Sequence, residues 1–518
     1  MTVEVVPVTR LRRDTSTWSY RVPPKSSVQP GCLVVIPFRN HPTLGMVWEV
    51  HEEDARATQT VQEVLSTVPL LRAPHRDFVG WLAEEGLCSL STALYTWLPR
   101  GLRSLPLSST ARRLLKEHNQ TTLSASEINI TKQHAILVPS RRPQQEAALS
   151  KRFGDQFSVL FSDSSIGVEL ERWFAIAQGK LQVGLGGVGS LWAPWLNLRH
   201  ITIVDPEDIA HYHEQVPYLS LVGASQKLAQ LTRAEVGYRT HLPSSVGATL
   251  WGGSALGVDT LPTPLRITDL TREPLLNESL ILEIQTTLQQ EKQVLILYNA
   301  HDSLRPIITD GREQRKLFPG IESIGRDLAR LLGCPQLPPS VHLGTRSILG
   351  NHLKGVGLTV ALNVDRLTEN PLFADQLHGW SDLGGLFSYS CPCTVQTHHP
   401  EHPLIWSLAN SSFTTYLSQR IVQRAENGLP PFCTQIVCSV TTGESTGEQA
   451  QALYEKLHPL VTTPWQLSHP FPGPWRKREY THLLLQAPAG TRLPVTLRTV
   501  LSALPAPWKV QRDPWHVM

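Results

Sequence analysis

The chain of 518 residues is long enough for about three to four domains. Apolar residues make up 41% and charged residues 18%, which excludes a disordered or fibrous chain. With 47 basic against 44 acidic side chains a histone-like protein is excluded, while a local basic groove is not.

Residues 1–103 read as a small domain of their own: β-rich runs at 3–6, 32–36 and 44–50 alternate with turn-rich stretches, and residues 76–97 carry apolar side chains at helical spacing. Residues 104–132 are polar and rich in Ser, Thr and Asn, and are expected to be a linker. From residue 135 the pattern changes. Strand-length apolar runs at 135–138, 158–161, 181–183, 201–204, 294–298 and 358–362 alternate with helix-like segments, as a parallel sheet covered on both faces requires. From about residue 400 a helical stretch (404–427), a Pro430–Pro431 break and strand-like runs at 435–440 and 481–485 suggest a last α/β block.

No run of about 18 apolar residues predicts a membrane span, and the first 30 positions lack the apolar core of a secretory leader. Seven scattered cysteines suit reduced thiols in a cytoplasm rather than a disulfide framework. The close pair Cys391 and Cys393 is spaced too tightly for a zinc pair and has no second pair to follow it, so no metal is expected.

Gly184, Gly186 and Gly189 form a GxGxxG pattern after a strand-like run, with Asp205 ending the next strand. One reading is therefore a Rossmann-type or ThiF-like nucleotide site using residues 184–189 and Asp205. Against it, Pro194 would sit inside the crossover helix, and too few residues remain to complete that helix. The other reading is a glycine loop inside an α/β lobe.

A resemblance spans the whole chain. WSYRVP at 18–23, PGCLVVIPF at 30–38, GMV at 45–47, PLL at 69–71 and WLP at 97–99 resemble the 3′-DNA-end-binding domain of the PriA (primosomal protein N′) family of replication-restart helicases. At the far end, PEHPLI at 400–405, Arg424 with GLPPF at 428–432, PGPWRKREYTHLLL at 472–485 and Asp513-Pro514 are similar to the same family. Between them, AILVP at 135–139, KRFGD at 151–155, LWAPWLNL at 191–198 with Ile203-Val204-Asp205, GTR at 344–346 and residues 360–365 resemble its two helicase lobes. The resemblance implies a multidomain α/β protein. It divides into a β-rich 3′-DNA-end-binding domain (1–103), a linker (104–132), degenerate RecA-like helicase lobes (133–262 and 263–398) and a C-terminal α/β domain (399–518).

The family's chemistry residues are missing. No GxxxxGK[ST] is present to cradle phosphates, Asp205-Pro206-Glu207-Asp208 stands where the family has Asp-Glu-Glu-His, and residues 381–388 replace its arginine-rich motif. The zinc module is shortened to residues 299–318, and the winged-helix segment is lost. ATP and zinc are thus cofactors of the family that this chain is not expected to use, and the resemblance implies a DNA-binding restart protein without ATPase or helicase activity. The alternative is a helicase with a divergent nucleotide site.

By resemblance, the end of a nascent strand would meet Trp18, Ser19, Tyr20, Phe38 and Arg39, with the aromatics stacking a base and Arg39 facing phosphate. Ser19 stands where the family has a carboxylate. For Trp18 and Tyr20 a packed β-core pair is the competing reading. Arg476, Lys477 and Arg478 could contact phosphates or the acidic tail of single-strand-binding protein, or else solvate an edge strand. Trp81 could take an apolar residue of such a tail, or pack as core. Expected partners are forked or gapped DNA, single-strand-binding protein, and the replicative helicase or its loader. The expected location is cytoplasmic and nucleoid-associated.

Overall fold

The computed structural model describes the chain except for residues 12–16, 25, 53–55, 122–131, 162, 214, 241, 244–248, 250–263, 299–304, 310, 311, 317–319, 352, 366–372, 442, 444, 445, 476, 477, 506 and 514–518. Six strands open the chain: β1 (Thr2–Pro7), β2 (Trp18–Arg21), β3 (Leu33–Phe38), β4 (His41–His51), β5 (Gln59–Thr60) and β6 (Glu63–Val64). They form one sheet in the order β5-β2-β1-β4-β3-β6, antiparallel except for β2 with β5. Both faces are covered, which is why residues 31–36 are all buried. Val3, Val5, Val34, Ile36 and Val47 fill one core, and Val6, Leu33, Val35, Leu44 and Met46 reach into another.

The second face is covered by α1 (Ala73–Glu85), α2 (Leu90–Trp97) and α3 (Ser109–Gln120). The expected helix over 76–97 is thus two helices. Gly86 closes the first, because a Cβ there would collide with Pro217 and the Leu82 carbonyl. Ser89 caps the second, its hydroxyl accepting from Thr92 N at 3.2 Å. Part of the expected linker over 104–132 is helical. Ser108 caps α3, and Ala111, Leu114, Leu115 and His118 fall at i, i+3, i+4 and i+7, so a polar-looking segment buries one full stripe.

Two parallel sheets follow. The first joins β7 (Gln133–Leu137), β8 (Phe157–Val159), β9 (Val183–Gly186), β10 (Leu198–Val204) and β13 (Glu235–Arg239) in the order β13-β10-β7-β9-β8. Helices α4 (Pro143–Phe153), α5 (Ile166–Ala177) and α6 (Leu221–Thr232) connect these strands, and a small hairpin pairs β11 (Tyr212–His213) with β12 (Leu219–Ser220). The second sheet joins β14 (Leu265–Asp269), β15 (Gln293–Tyr298), β18 (Val341–Gly344), β19 (Val356–Leu362) and β20 (Cys393–Thr397) in the order β14-β20-β19-β15-β18. Its helices are α7 (Glu278–Gln289), α8 (Ile321–Leu331) and α9 (Phe373–Phe387). A hairpin of β16 (Arg305–Thr309) and β17 (Arg312–Lys316) lies within the segment that resembles a shortened zinc module.

Apolar packing crosses two of the expected boundaries. Core residues run without a break from Val6 and Leu33 through Phe78, Trp97 and Leu115 to Trp173, Trp195, Ile201 and Leu228, so the first domain and the first parallel sheet share one core. The N-terminal sheet and the first parallel sheet are thus packed together through α1, α2 and α3. Helices α10 (Pro403–Ala409) and α11 (Phe413–Glu426), expected in the C-terminal block, bury Leu404, Ile405, Leu408, Phe413 and Leu417 against the second parallel sheet. The last sheet consists of β21 (Cys433–Thr441), β22 (Gln466–Leu467), β23 (Phe471–Trp475), β24 (Arg478–Pro488) and β25 (Lys509–Arg512), covered by α12 (Thr446–Leu457) and α13 (Val495–Ser502). Leu87, at the end of α1, inserts into its core.

The glycine loop is a packing device. β9 runs into a single 3-10 turn (Val188–Ser190) and then into β10, without the crossover helix whose N-terminus would face a phosphate. A Cβ on Gly184 would lie 2.5 Å from Leu160 Cδ1, and one on Gly189 2.5 Å from the Leu160 carbonyl; one on Gly186 would strike the same carbonyl. This corrects the Rossmann or ThiF-like reading of residues 184–189 with Asp205. Gly186→Ala is expected to destabilise the protein by about 1–3 kcal/mol through this overpacking. Thermal unfolding checks it, and a variant as stable as the parent would contradict the packing role.

Candidate nucleic-acid interface

Strand alternation sorts the five N-terminal candidates. Trp18 and Tyr20 stand opposite Val5 and Val3 on one face, whereas Ser19 stands opposite Glu4 on the other. Tyr20 is 3% exposed, and its hydroxyl donates to Pro37 O at 3.0 Å, so burial pushes its pKa up to about 12. Its ring belongs to the core and is closed to a base. Trp18 is half-buried and meets Phe38 edge to face, centroids 4.9 Å apart at 76°.

Arg39 and Asn40 form the two-residue turn between β3 and β4, with φ of 50° and 63°, as a type I′ hairpin requires. The turn leaves Arg39 exposed, its guanidinium 5.4 Å from the Phe38 centroid. Structure therefore brings Trp18, Phe38 and Arg39 to one corner of the sheet and takes Ser19 and the Tyr20 ring away from it. On the Ser19 side, Glu4, Glu49 and His51 have ligand atoms within 4.8 Å of one another. Arg56 reaches Glu4 at 3.1 Å, a pairing that competes with any cation there.

Of the basic cluster, Arg476 and Lys477 lie outside the described residues. Arg478 pairs with Trp475 in the β23–β24 register, and its side chain is likewise outside them. Trp81 is half-buried and stacks on Phe78 at 5.9 Å and 12°. At its end of α1, Glu84 pairs with Arg498 at 3.1 Å and Glu85 with Arg512 at 2.9 Å, tying the helix to the C-terminal sheet.

Where the family carries Asp-Glu-Glu-His, the strand β10 ends in a tight turn. Asp205 takes a positive φ of 47°, Asp208 N donates to Asp205 O at 2.9 Å, and His211 Nε2 donates to Val204 O at 2.9 Å. Each aspartate is charge-paired. Arg142 bonds Asp205, and Arg346 bonds Asp208 while also reaching Ser381 Oγ at 2.9 Å and Asp382 Oδ1 at 3.4 Å. Arg346 follows β18 and Asp382 lies on α9, so this cluster bridges the two parallel-sheet units. Glu207 beside it is 3% exposed. Sequence reasoning missed both arginines. Arg346 stood in the GTR motif without a role, and Arg142 carried no signal beyond its charge.

The comparisons point one way. A family model, the PriA 3′ DNA-binding domain (3′BD), matches residues 5–99. A curated relative, "Replication restart protein PriA" of Haemophilus influenzae, is 25% identical over 172 residues, which is 30% of this chain and 23% of that protein. The matched stretch thus spans under a quarter of the relative's length. The β-rich sheet with its Trp18–Phe38–Arg39 corner is a PriA-type 3′ DNA-binding domain, and both matches support placing the chain in the PriA family.

Proposed function

We propose that this protein binds forked or gapped DNA carrying an arrested 3′ end and helps reload a replicative helicase, without hydrolysing ATP or unwinding duplex. The observation that carries the reading is the Trp18–Phe38–Arg39 corner within a domain of the 3′ DNA-binding type. A half-buried indole offers a stacking face to a terminal base, and the exposed guanidinium offers charge to the phosphate beside it. The two parallel-sheet units are then degenerate RecA-like lobes serving as a scaffold. Three features favour a silent motor: no phosphate-binding GxxxxGK[ST], glycines filled by Leu160, and Asp205 and Asp208 neutralised by arginines. Residues 476–478 and Trp81 are proposed contacts for DNA or for the acidic tail of single-strand-binding protein. Among the described residues no helix is long and apolar enough to cross a membrane. A cytoplasmic, nucleoid-associated location belongs to the same proposal.

Fluorescence anisotropy with the full chain tests this, using a fork with an arrested 3′ end against blunt duplex, at two salt concentrations, with and without ATP-magnesium. The fork is expected to bind more tightly, with affinity weakened by salt and indifferent to ATP-magnesium. Trp18→Ala should cost about 1–3 kcal/mol of fork binding through lost stacking. Arg39→Gly suits the positive-φ turn and keeps the fold, yet should lower the salt slope by about one. Equal affinity for fork and blunt duplex would overturn the reading, as would variants that bind like the parent.

A further inference from the structure

A cavity of about 210 Å³ lies at the seam between α1 and the first parallel sheet, away from the Trp18 corner. Arg72, Pro74 and His75 at the start of α1 form one wall. The segment from Trp195 to Leu198 and the end of α6 (Leu231, Thr232 and Arg233) form the others. His75 is 2% exposed, and neither of its ring nitrogens has a hydrogen-bond partner. A buried imidazole always carries at least one N–H, and leaving it unmet costs about 1–3 kcal/mol.

The charges around the cavity are equally uncompensated. Among the described residues, no hydrogen bond or ion pair reaches the half-buried Arg72 guanidinium, whose pKa burial pushes down. Helix α1 starts here with no side-chain cap and no acidic residue in its first turn. The end of α6 brings a partial negative charge to the opposite wall, worth about half an elementary charge, and Arg233 closes that helix with an exposed full positive one. The sum is positive. Lone arginine, unmet imidazole and uncapped helix start all want the same thing, which is an acceptor-rich anion.

We infer that this cavity is an oxyanion site that takes a phosphate group, with Arg72 and His75 as its inner donors and Arg233 at its mouth. A phosphate can accept the paired guanidinium N–H groups and the imidazole N–H together. A volume of about 210 Å³ suits a single phosphate and leaves little room for a whole nucleotide. The site stands whether or not the Trp18 corner binds DNA.

The test is a ³¹P line-broadening titration and thermal unfolding of the full chain. The probes are inorganic phosphate, chloride at matched ionic strength, and a short thymidylate oligomer with and without a 5′-phosphate. Inorganic phosphate at roughly ten times its dissociation constant should raise the melting temperature by about 1 °C over chloride. Arg72→Gln should weaken binding at least tenfold, the equivalent of about 1.4 kcal/mol. Should Arg72→Gln fold poorly by circular dichroism, two gentler variants decide. Arg233→Asn suits the left-handed position, and His75→Phe fills the same space without donors.

Binding of free phosphate assigns the site to a small anion, and binding of the oligomer only when 5′-phosphorylated assigns it to a DNA end. Either supports the site if these variants lose it. No broadening and no shift beyond chloride would overturn it, as would equal binding by the variants.

Discussion

Replacing Arg346 with methionine is expected to destabilise the protein by about 3–5 kcal/mol, because it removes the cation that two buried carboxylates share. Asp208 is 8% exposed and Asp382 6%, so neither can turn to water for compensation. A surface ion pair would be worth at most about 1 kcal/mol. Burial of the acids is what raises the effect here. Methionine keeps most of the aliphatic volume, which separates loss of charge from loss of packing. Adding Asp208→Asn should recover part of the loss, since one of the stranded charges is then gone. Urea denaturation of the parent, both single variants and the double variant checks the cycle, and an Arg346→Met change within about 0.5 kcal/mol would show that the bridge contributes nothing. Should the bridge hold the two parallel-sheet units together, Arg346→Met should also raise hydrogen exchange along α9 and the start of α4.

Acidification should destabilise the protein between pH 6.5 and 4. Burial, reinforced by the Arg72 charge, pushes the His75 pKa down to about 4. In the unfolded chain the same imidazole titrates near 6.5, so below that pH the unfolded state binds the extra proton. The stabilisation is thus complete above pH 6.5 and is lost as the pH falls to 4. His75 alone accounts for about 3 kcal/mol over that range.

His118 and His134 are also held at about 4, chiefly by burial, and act in the same direction. Asp513 opposes them. Burial pushes its pKa up to about 6, so it costs stability as the pH rises through that range and returns it on acidification. Three histidines outweigh one aspartate, and the net slope stays positive. Stability measured by denaturant at pH 7.5 and pH 5 should fall in the parent and fall less in His75→Phe. A parent equally stable at both values would contradict the buried, neutral imidazole.

Where apolar runs were long and continuous, the fold was legible. The strand-length runs around 135–138, 201–204, 294–298 and 358–362 became central strands of two parallel sheets, because such runs have few other ways to be buried. Boundaries were less legible, since they depend on which surfaces meet. Leu404 and Phe413 sit on ordinary amphipathic helices, and nothing local says that these cover the second parallel sheet and not the last one. The α3 segment was hidden by its polar composition, although its stripe of Ala111, Leu114, Leu115 and His118 was available to a stricter count.

At the candidate site the residue types were legible and their directions were not. Trp18, Ser19 and Tyr20 are adjacent in sequence, and alternation along β2 sends Ser19 to the opposite face from its neighbours. Tyr20 is drawn inward by its bond to Pro37 O, a partner on another strand. The pairing of Asp208 with Arg346 spans 138 positions, a distance at which no spacing rule speaks.

The core shared between the N-terminal sheet and the first parallel sheet constrains what the chain can lose. Substitutions in exposed loops disturb little of that interior. Deleting the surrounding unit would instead lay bare Phe78, Trp97 and Leu115, whose burial it completes. A lineage could not shed the first parallel sheet without unsettling the N-terminal one, so the two are kept or lost together.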